Sequence, residues 1–312
     1  MELNLKVILK NYGILIAFFA ICVIISILSP VFLAPNNIIN VIRQTSIYGI
    51  IAVGMTFVIL TGGIDLSVGS ILAVSGAVCA GLIHAQLPVA AVIAAALGVG
   101  IAFGVFNGLF ITLGKITPFV VTLGMMGIAR GITLIYTNGY PISGLPEDLR
   151  FVGSGYLFGL PIPVLIFIAV VLVAHFVLTQ TRMGRYTYAI GGNEAAVRLS
   201  GINANFYKAL AYVIAGATAG LSSVILTARL NSAEPVAGNG YELDVIAAVV
   251  IGGTSLSGGR GSIWGTFIGA LMIGVINNGM NLLGISSYFQ LVVKGFIIIG
   301  AVWLDRLRDE SN

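Results

Sequence analysis

Apolar stretches long enough to cross a bilayer dominate this chain and limit what it can fold into. They fall near residues 13–33, 46–61, 67–84, 87–112, 117–136, 161–180, 208–228, 243–253, 263–283 and 286–304. A helix needs about 20 apolar residues to span the hydrocarbon core, so the second and eighth stretches read as short. The runs are continuous rather than alternating, which excludes membrane β-strands. Only 8% of the residues are charged, against about 25% in soluble domains. Soluble enzyme, disordered chain and secreted disulfide scaffold are therefore excluded. Residues 1–312 read as a single all-α transmembrane domain of about ten helices. A net charge of +4, thinly spread, gives no face for nucleic acid. Cys22 and Cys79 lie inside apolar runs and read as small core residues, with no zinc or disulfide spacing. Lys6 and Lys10 precede the first stretch as in a signal peptide, but that stretch is too long for an h-region and reads as a retained span.

Basic residues set the orientation. With ten spans and both termini cytoplasmic, the inside segments hold Lys6, Lys10, Lys115, Arg182, Arg185, Arg198, Lys208, Arg260, Arg306 and Arg308. The outside segments hold only Arg43, Arg150 and Arg229, while Arg130 and Lys294 fall within spans. An odd number of spans would put the two terminal basic clusters on opposite faces. The outside connection 137–163 is rich in Pro and Gly and reads as turns.

Two short segments echo each other. Gly62-Gly63-Ile64-Asp65-Leu66-Ser67-Val68-Gly69 and Gly252-Gly253-Thr254-Ser255-Leu256-Ser257-Gly258-Gly259 share Gly, Gly, Leu, Ser and Gly at an offset of 190. Paired glycine breaks in the two halves point to a weakly duplicated transporter fold, preferred over chance similarity in a glycine-rich chain. Asp65 is the one acid between Glu2 and Glu147. A carboxylate there either caps the following helix or forms a proton or ion site, and the cap is preferred. Arg130 and Lys294 either pair with backbone carbonyls, Glu242 or Asp244, or line a route for a hydroxyl-rich solute. Asn107, Asn277, Asn278 and Asn281 would join that lining, since amides both donate and accept. The same amides also hold helices together. Gly100, Gly104 and Gly108, Gly216 and Gly220, and Gly265 and Gly269 are close-approach ladders first. His84 and His175 have no partner at metal-ligand spacing.

The most polar stretch is the inside connection 181–205. Within Gly191-Gly192-Asn193-Glu194-Ala195-Ala196-Val197-Arg198-Leu199-Ser200-Gly201, Asn193 can cap a helix, Glu194 suits its positive first turn and Gly201 can end it. A helix of about seven residues is too short to stand alone in water. With Glu194 and Arg198 at i, i+4, it reads as a docking knob; a solvated linker would not need the caps. The chain contains no GxxxxGK[ST], G-x-S-x-G or HExxH, so no phosphate loop or hydrolase set is present to supply catalysis. ATP-driven action would need a partner.

Several strings resemble one family. They are Ala52-Val53-Gly54-Met55-Thr56 leading into Gly62–Ser70, Arg130-Gly131, Tyr136-Thr137-Asn138-Gly139, Gly184–Asn203, Gly240–Gly259 and Asn277–Gln290. From about residue 30 to the C-terminus the chain is similar to the permease subunits of bacterial monosaccharide ABC importers. The resemblance implies a vitamin B12-importer-like fold, a bacterial inner-membrane location and a non-catalytic role. It also implies a second permease copy, a cytoplasmic ATP-binding-cassette subunit that binds ATP and Mg, and a periplasmic sugar-binding protein. This chain itself would bind no cofactor and no metal. Gly191, Gly192, Asn193, Glu194, Ala195, Ala196, Arg198 and Gly201 fall in the family's coupling region, although four residues separate Ala196 from Gly201 where the commonest importer pattern has three. Gly62, Gly63, Asp65, Ser67, Gly252, Gly253 and Ser257 form the broken-helix segments. Asn107, Asn277, Asn278, Asn281, Arg130 and Lys294 are the expected route. The expected solute is a monosaccharide, ribose first. An ion-coupled secondary transporter of a small polar solute is the alternative, and it would call for more intramembrane acid than Asp65.

Overall fold

The computed structural model describes the backbone of residues 5–310 and the side chains of 13–303, so the terminal basic residues Lys6, Lys10, Arg306 and Arg308 lie outside the described side chains. The elements in chain order are α1 (Leu5–Leu28), α2 (Pro35–Leu60), α3 (Val68–His84), α4 (Val89–Thr112), α5 (Pro118–Thr137), α6 (Glu147–Ser154), α7 (Ile162–Gln180), α8 (Arg182–Leu199), α9 (Ala204–Leu230), α10 (Tyr241–Ile251), α11 (Ile263–Leu282) and α12 (Ser287–Glu310). Four two-residue strands add two small antiparallel pairs, one joining Ile142–Ser143 to Ser232–Ala233 and one joining Tyr156–Leu157 to Leu160–Pro161. Among the described residues, six helices, α2, α4, α5, α7, α9 and α11, are long and apolar enough to cross a membrane.

Three expectations change. The second span is not short: α2 runs 26 residues from Pro35. Asn36, Asn37, Asn40, Arg43 and Gln44 depress its early hydropathy, but Pro at its first turn starts the helix without losing a needed amide, and most of its length is buried in protein. The segment 181–205 is not a loop around one short helix, because helix α8 begins directly after Thr181, whose hydroxyl accepts from the Gly184 amide. The connection 137–163 holds the helix α6 as well as turns.

Helices α4 and α9 cross where their glycines meet. A Cβ on Gly100, Gly104, Gly108 or Gly216 would strike backbone of the facing helix, so the ladders are the seam expected of them. Gly265 and Gly269 bring α11 onto the Gly252 and Ala248 carbonyls of α10 in the same way. The main core runs through the buried C-terminal half of α2 with α7, α9, α10 and α11. Helix α8 and the turns after α2 and α10 gather at one end. The other end carries α6 and the strand pairs, tied by His84 Nε2 to the Ser143 carbonyl (3.0 Å) and by the Leu145 amide to Asn231 Oδ1 (2.9 Å).

Candidate functional site

The two glycine breaks begin with the same device. After α2 the amide of Gly62 bonds to Ile59 O and that of Gly63 to Val58 O; after α10 the amide of Gly253 bonds to Val250 O and that of Thr254 to Val249 O. Each is a Schellman stop whose positive-φ residue is glycine, Gly62 at +77° and Gly253 at +87°. The structural offset is therefore 191 residues, one more than the sequence echo. Gly252 has helical dihedrals and is glycine for a different reason: a Cβ there would meet the Gly265 carbonyl at 2.5 Å.

The turn at Gly258–Gly259, which follows the second stop, touches both the first stop and α8. The Gly259 amide donates to Leu60 O at 2.9 Å. A Cβ on Gly191 would strike both Leu60 O and the Gly259 amide, and one on Gly259 would lie 2.8 Å from the Gly192 nitrogen. Tyr188 adds a 2.8 Å hydrogen bond from its hydroxyl to the Gly261 carbonyl. Backbone-to-backbone packing of this kind admits no side chain at Gly191 and leaves no soft layer between α8 and the two breaks. Ser257 lies within the second break, and its amide donates to Ser255 Oγ at 3.3 Å.

Asn193 kinks α8. Its backbone is extended (φ −158°, ψ 92°), which ends one helical piece at Gly192 and opens the next. Its Oδ1 accepts the Ala196 amide at 2.9 Å, the N-cap its residue type favours. Ala195 and Ala196 form the first turns of that piece, and Gly201 at φ +77° closes it, with its amide on Arg198 O and that of Ile202 on Val197 O. Glu194 binds Arg198 at 2.6 Å and Lys208, from α9, at 2.9 Å, and Arg198 also reaches Asn205 Oδ1 at 2.5 Å. Partial burial pushes the Glu194 carboxyl up, but Lys208 and Arg198 outweigh it and hold it below the ordinary glutamate range. Leu199, 90% exposed, tips the knob. Lys208 as the clasp, and Tyr188 as the tie to the second break, went unseen in the sequence because contacts across separate helices leave no spacing signal.

The expected route residues do not form one cluster. Lys294 pairs with Asp244 at 2.8 Å, and Asn277 Nδ2 stands 3.5 Å from the same carboxylate. Arg130 donates to the Pro235 carbonyl at 2.6 Å. Asn278 and Asn37 exchange two 2.9 Å amide hydrogen bonds between α11 and α2. Asn281 Oδ1 accepts from Gln290 at 2.8 Å. Asn107 is fully buried on α4, with Nδ2 on Ser67 Oγ at 2.9 Å. Asp65 accepts the Ser67 amide at 2.9 Å and the Ser67 hydroxyl at 2.5 Å, which is a cap on the turn that opens α3. A cavity of about 400 Å³ between α2, α7 and α9 is lined by Val53, Phe57, Val170, Val173 and Ile214, with Thr218 its one polar side chain. That lining suits hydrocarbon and offers a sugar too few hydrogen-bond partners.

A family model described as the permease component of the branched-chain amino acid transport system matches residues 37–302. The chain belongs to this permease family. The permease is 52% identical over 301 residues to the ribose import permease RbsC of Bacillus subtilis (strain 168), covering 96% of this chain and 94% of the relative. It is 51% identical over 295 residues to the ribose import permease of Escherichia coli (strain K12), covering 93% and 92%. The D-allose transport system permease AlsC of the same strain is 43% identical over 309 residues, covering 97% and 94%. No solved structure matches the permease.

Proposed function

We propose that this chain is the membrane permease of an ATP-driven ABC importer that moves a monosaccharide, ribose first, from the periplasm to the cytoplasm across the bacterial inner membrane. About half of its residues are identical to ribose import permeases over nearly the full length of both chains, and that observation carries the reading. The working unit is two copies of the permease, each with ten spans in a vitamin B12-importer-like arrangement and with both termini cytoplasmic. A cytoplasmic ATP-binding-cassette subunit docks on the knob at 194–199, and a periplasmic sugar-binding protein delivers the solute to the opposite end.

The rigid seat of α8 supports a mechanism. Because Gly191 and Gly192 lie against Leu60 at the stop after α2 and against the Gly258–Gly259 turn of the second break, a displacement of the knob by the ATPase passes to both breaks together. Arg130, Asn277 and Lys294 remain partly exposed and Asn281 exposed, which keeps them as route residues along the axis between copies. Asn278 serves chiefly to tie α11 to α2, and Asn107, fully buried, is a positioning residue instead.

The test is reconstitution of the permease with an ATP-binding-cassette subunit and a periplasmic binding protein of a ribose importer. Labelled ribose should accumulate only with Mg-ATP and binding protein present. The Glu194→Lys, Gly201→Val double variant should insert normally and yet lose the co-purified ATPase and the uptake together. Uptake driven by an ion gradient without ATP, or a double variant that keeps its ATPase and its transport, would sink the proposal.

A further inference from the structure

Asp65 is fully buried, and among the described residues no Lys, Arg or His hydrogen-bonds to it or pairs with it. Its cap uses one oxygen: Oδ1 receives both the amide and the hydroxyl of Ser67. The other oxygen, Oδ2, has only the 3.4 Å approach of Asn107 Nδ2. The direction of the Asn107 amide follows from the network. Ser67 spends its hydroxyl hydrogen on Asp65, so the 2.9 Å contact to Asn107 must be donated by Nδ2. Asn107 Oδ1 then faces away from Ser67 and has no donor among the described residues, though it is completely buried. A second oxygen is in the same state. The Tyr212 hydroxyl, on a side chain 1% exposed, has no hydrogen-bond partner among the described residues and lies against Gly63, two residues before Asp65. It fills the space that a side chain on Gly63 would occupy.

A buried carboxylate without a countercharge is too costly to persist, and buried polar oxygens without partners are rare. A proton placed between Asp65 and Asn107 would serve two of these oxygens at most and leave the tyrosine hydroxyl unused. We propose that Asp65, Asn107 and Tyr212 hold a monovalent alkali cation beneath the glycine break that follows α2. The donor set contains only oxygen, which suits a hard cation. One carboxylate supplies one negative charge, so a monovalent ion leaves the site neutral where a divalent one would not. The ion joins the break to α4 through Asn107 and to α9 through Tyr212, giving that turn a fixed seat below α8.

Thermal unfolding of the purified full-length permease in neutral detergent tests this, in sodium, potassium or choline chloride at one ionic strength. Tm is expected to be higher in sodium or potassium chloride than in choline chloride, and to keep rising with the logarithm of salt concentration once the site fills. Asp65→Asn should abolish that difference. Tyr212→Phe keeps the charge and the helix; it should raise the salt concentration needed several-fold without lowering Tm in choline. If Asp65→Asn does not fold, the tyrosine variant decides by itself. Equal Tm of the parent chain in all three salts would overturn the site, as would a cation response that survives unchanged in Tyr212→Phe. A Tm that follows pH but not the cation would assign a proton to Asp65 and overturn it equally.

Discussion

Lys294, itself 16% exposed, reaches from α12 to an Asp244 side chain that is 5% exposed, so the carboxylate end of the pair is buried. Lys294→Met leaves that carboxylate without its partner and should cost about 3–5 kcal/mol. Adding Asp244→Asn should recover much of the loss, because removing both charges avoids the desolvation penalty; a double-mutant cycle of thermal unfolding checks it. Asn107→Leu breaks a buried hydrogen bond to Ser67 and should cost about 1–3 kcal/mol of stability. Reduced uptake in that variant would therefore report on folding rather than on the route. Glu194 carries a pH signature. Its carboxyl titrates below the ordinary range in the folded chain, so its contribution is present above that range and is lost as pH falls through the lowered value. Amide exchange over 194–199, corrected for its intrinsic pH dependence, should rise below about pH 4, and Glu194→Gln should remove the rise. The effect is small, because the ion pairs are partly solvated.

Helix α8 depends on where its glycines fall. Gly191→Ala drives a methyl group into Leu60 O and the Gly259 amide, while a Cβ on Gly192 meets nothing within 4 Å. The first substitution should lower Tm by a clear margin, about 1–3 kcal/mol in stability, and the second should leave it near the parent value. The α4–α9 seam behaves alike: Gly100 and Gly216 each point at the other's carbonyl. Gly216→Val should cost about 3 kcal/mol or more, read as loss of folded protein in the membrane fraction. Gly124, Gly127 and Gly131 on α5 face open space instead, so alanine there should leave the single chain's stability unchanged. All of these positions are glycines in apolar helices, and only the facing helix separates the critical from the tolerant.

For the molecule as a whole, the two ends differ in kind. One gathers α8 and both glycine stops, and the other holds α6 and the small strand pairs. If the first end is cytoplasmic, as proposed from the basic residues of 181–205, a cysteine placed at Ser200 should react with impermeant reagent only after the cells are opened. Labelling of intact cells would invert the topology and with it the docking scheme. With α8 and the breaks gathered at one end, the proposed docking on the short piece 194–199 would act on two distant parts of the chain.

Much was legible from local pattern, because the signals involved are local. Continuous apolar runs mark helices, since a bilayer tolerates no unpaired backbone. Asn193 and Gly201 marked the ends of the knob, because a cap is decided within three or four residues. The Gly-Gly echo marked two helix stops for the same reason. What tertiary structure alone decided is which stops meet. Leu60, Gly191 and Gly259 converge across about 200 residues of chain, and no periodicity encodes a backbone-to-backbone contact. The length of α2 was hidden likewise, because burial in protein rather than lipid excuses its polar first turns. Asn37 with Asn278, Lys208 with Glu194 and Tyr212 against Gly63 are partnerships of helix packing, and packing is set by shape and close approach rather than by spacing along the chain.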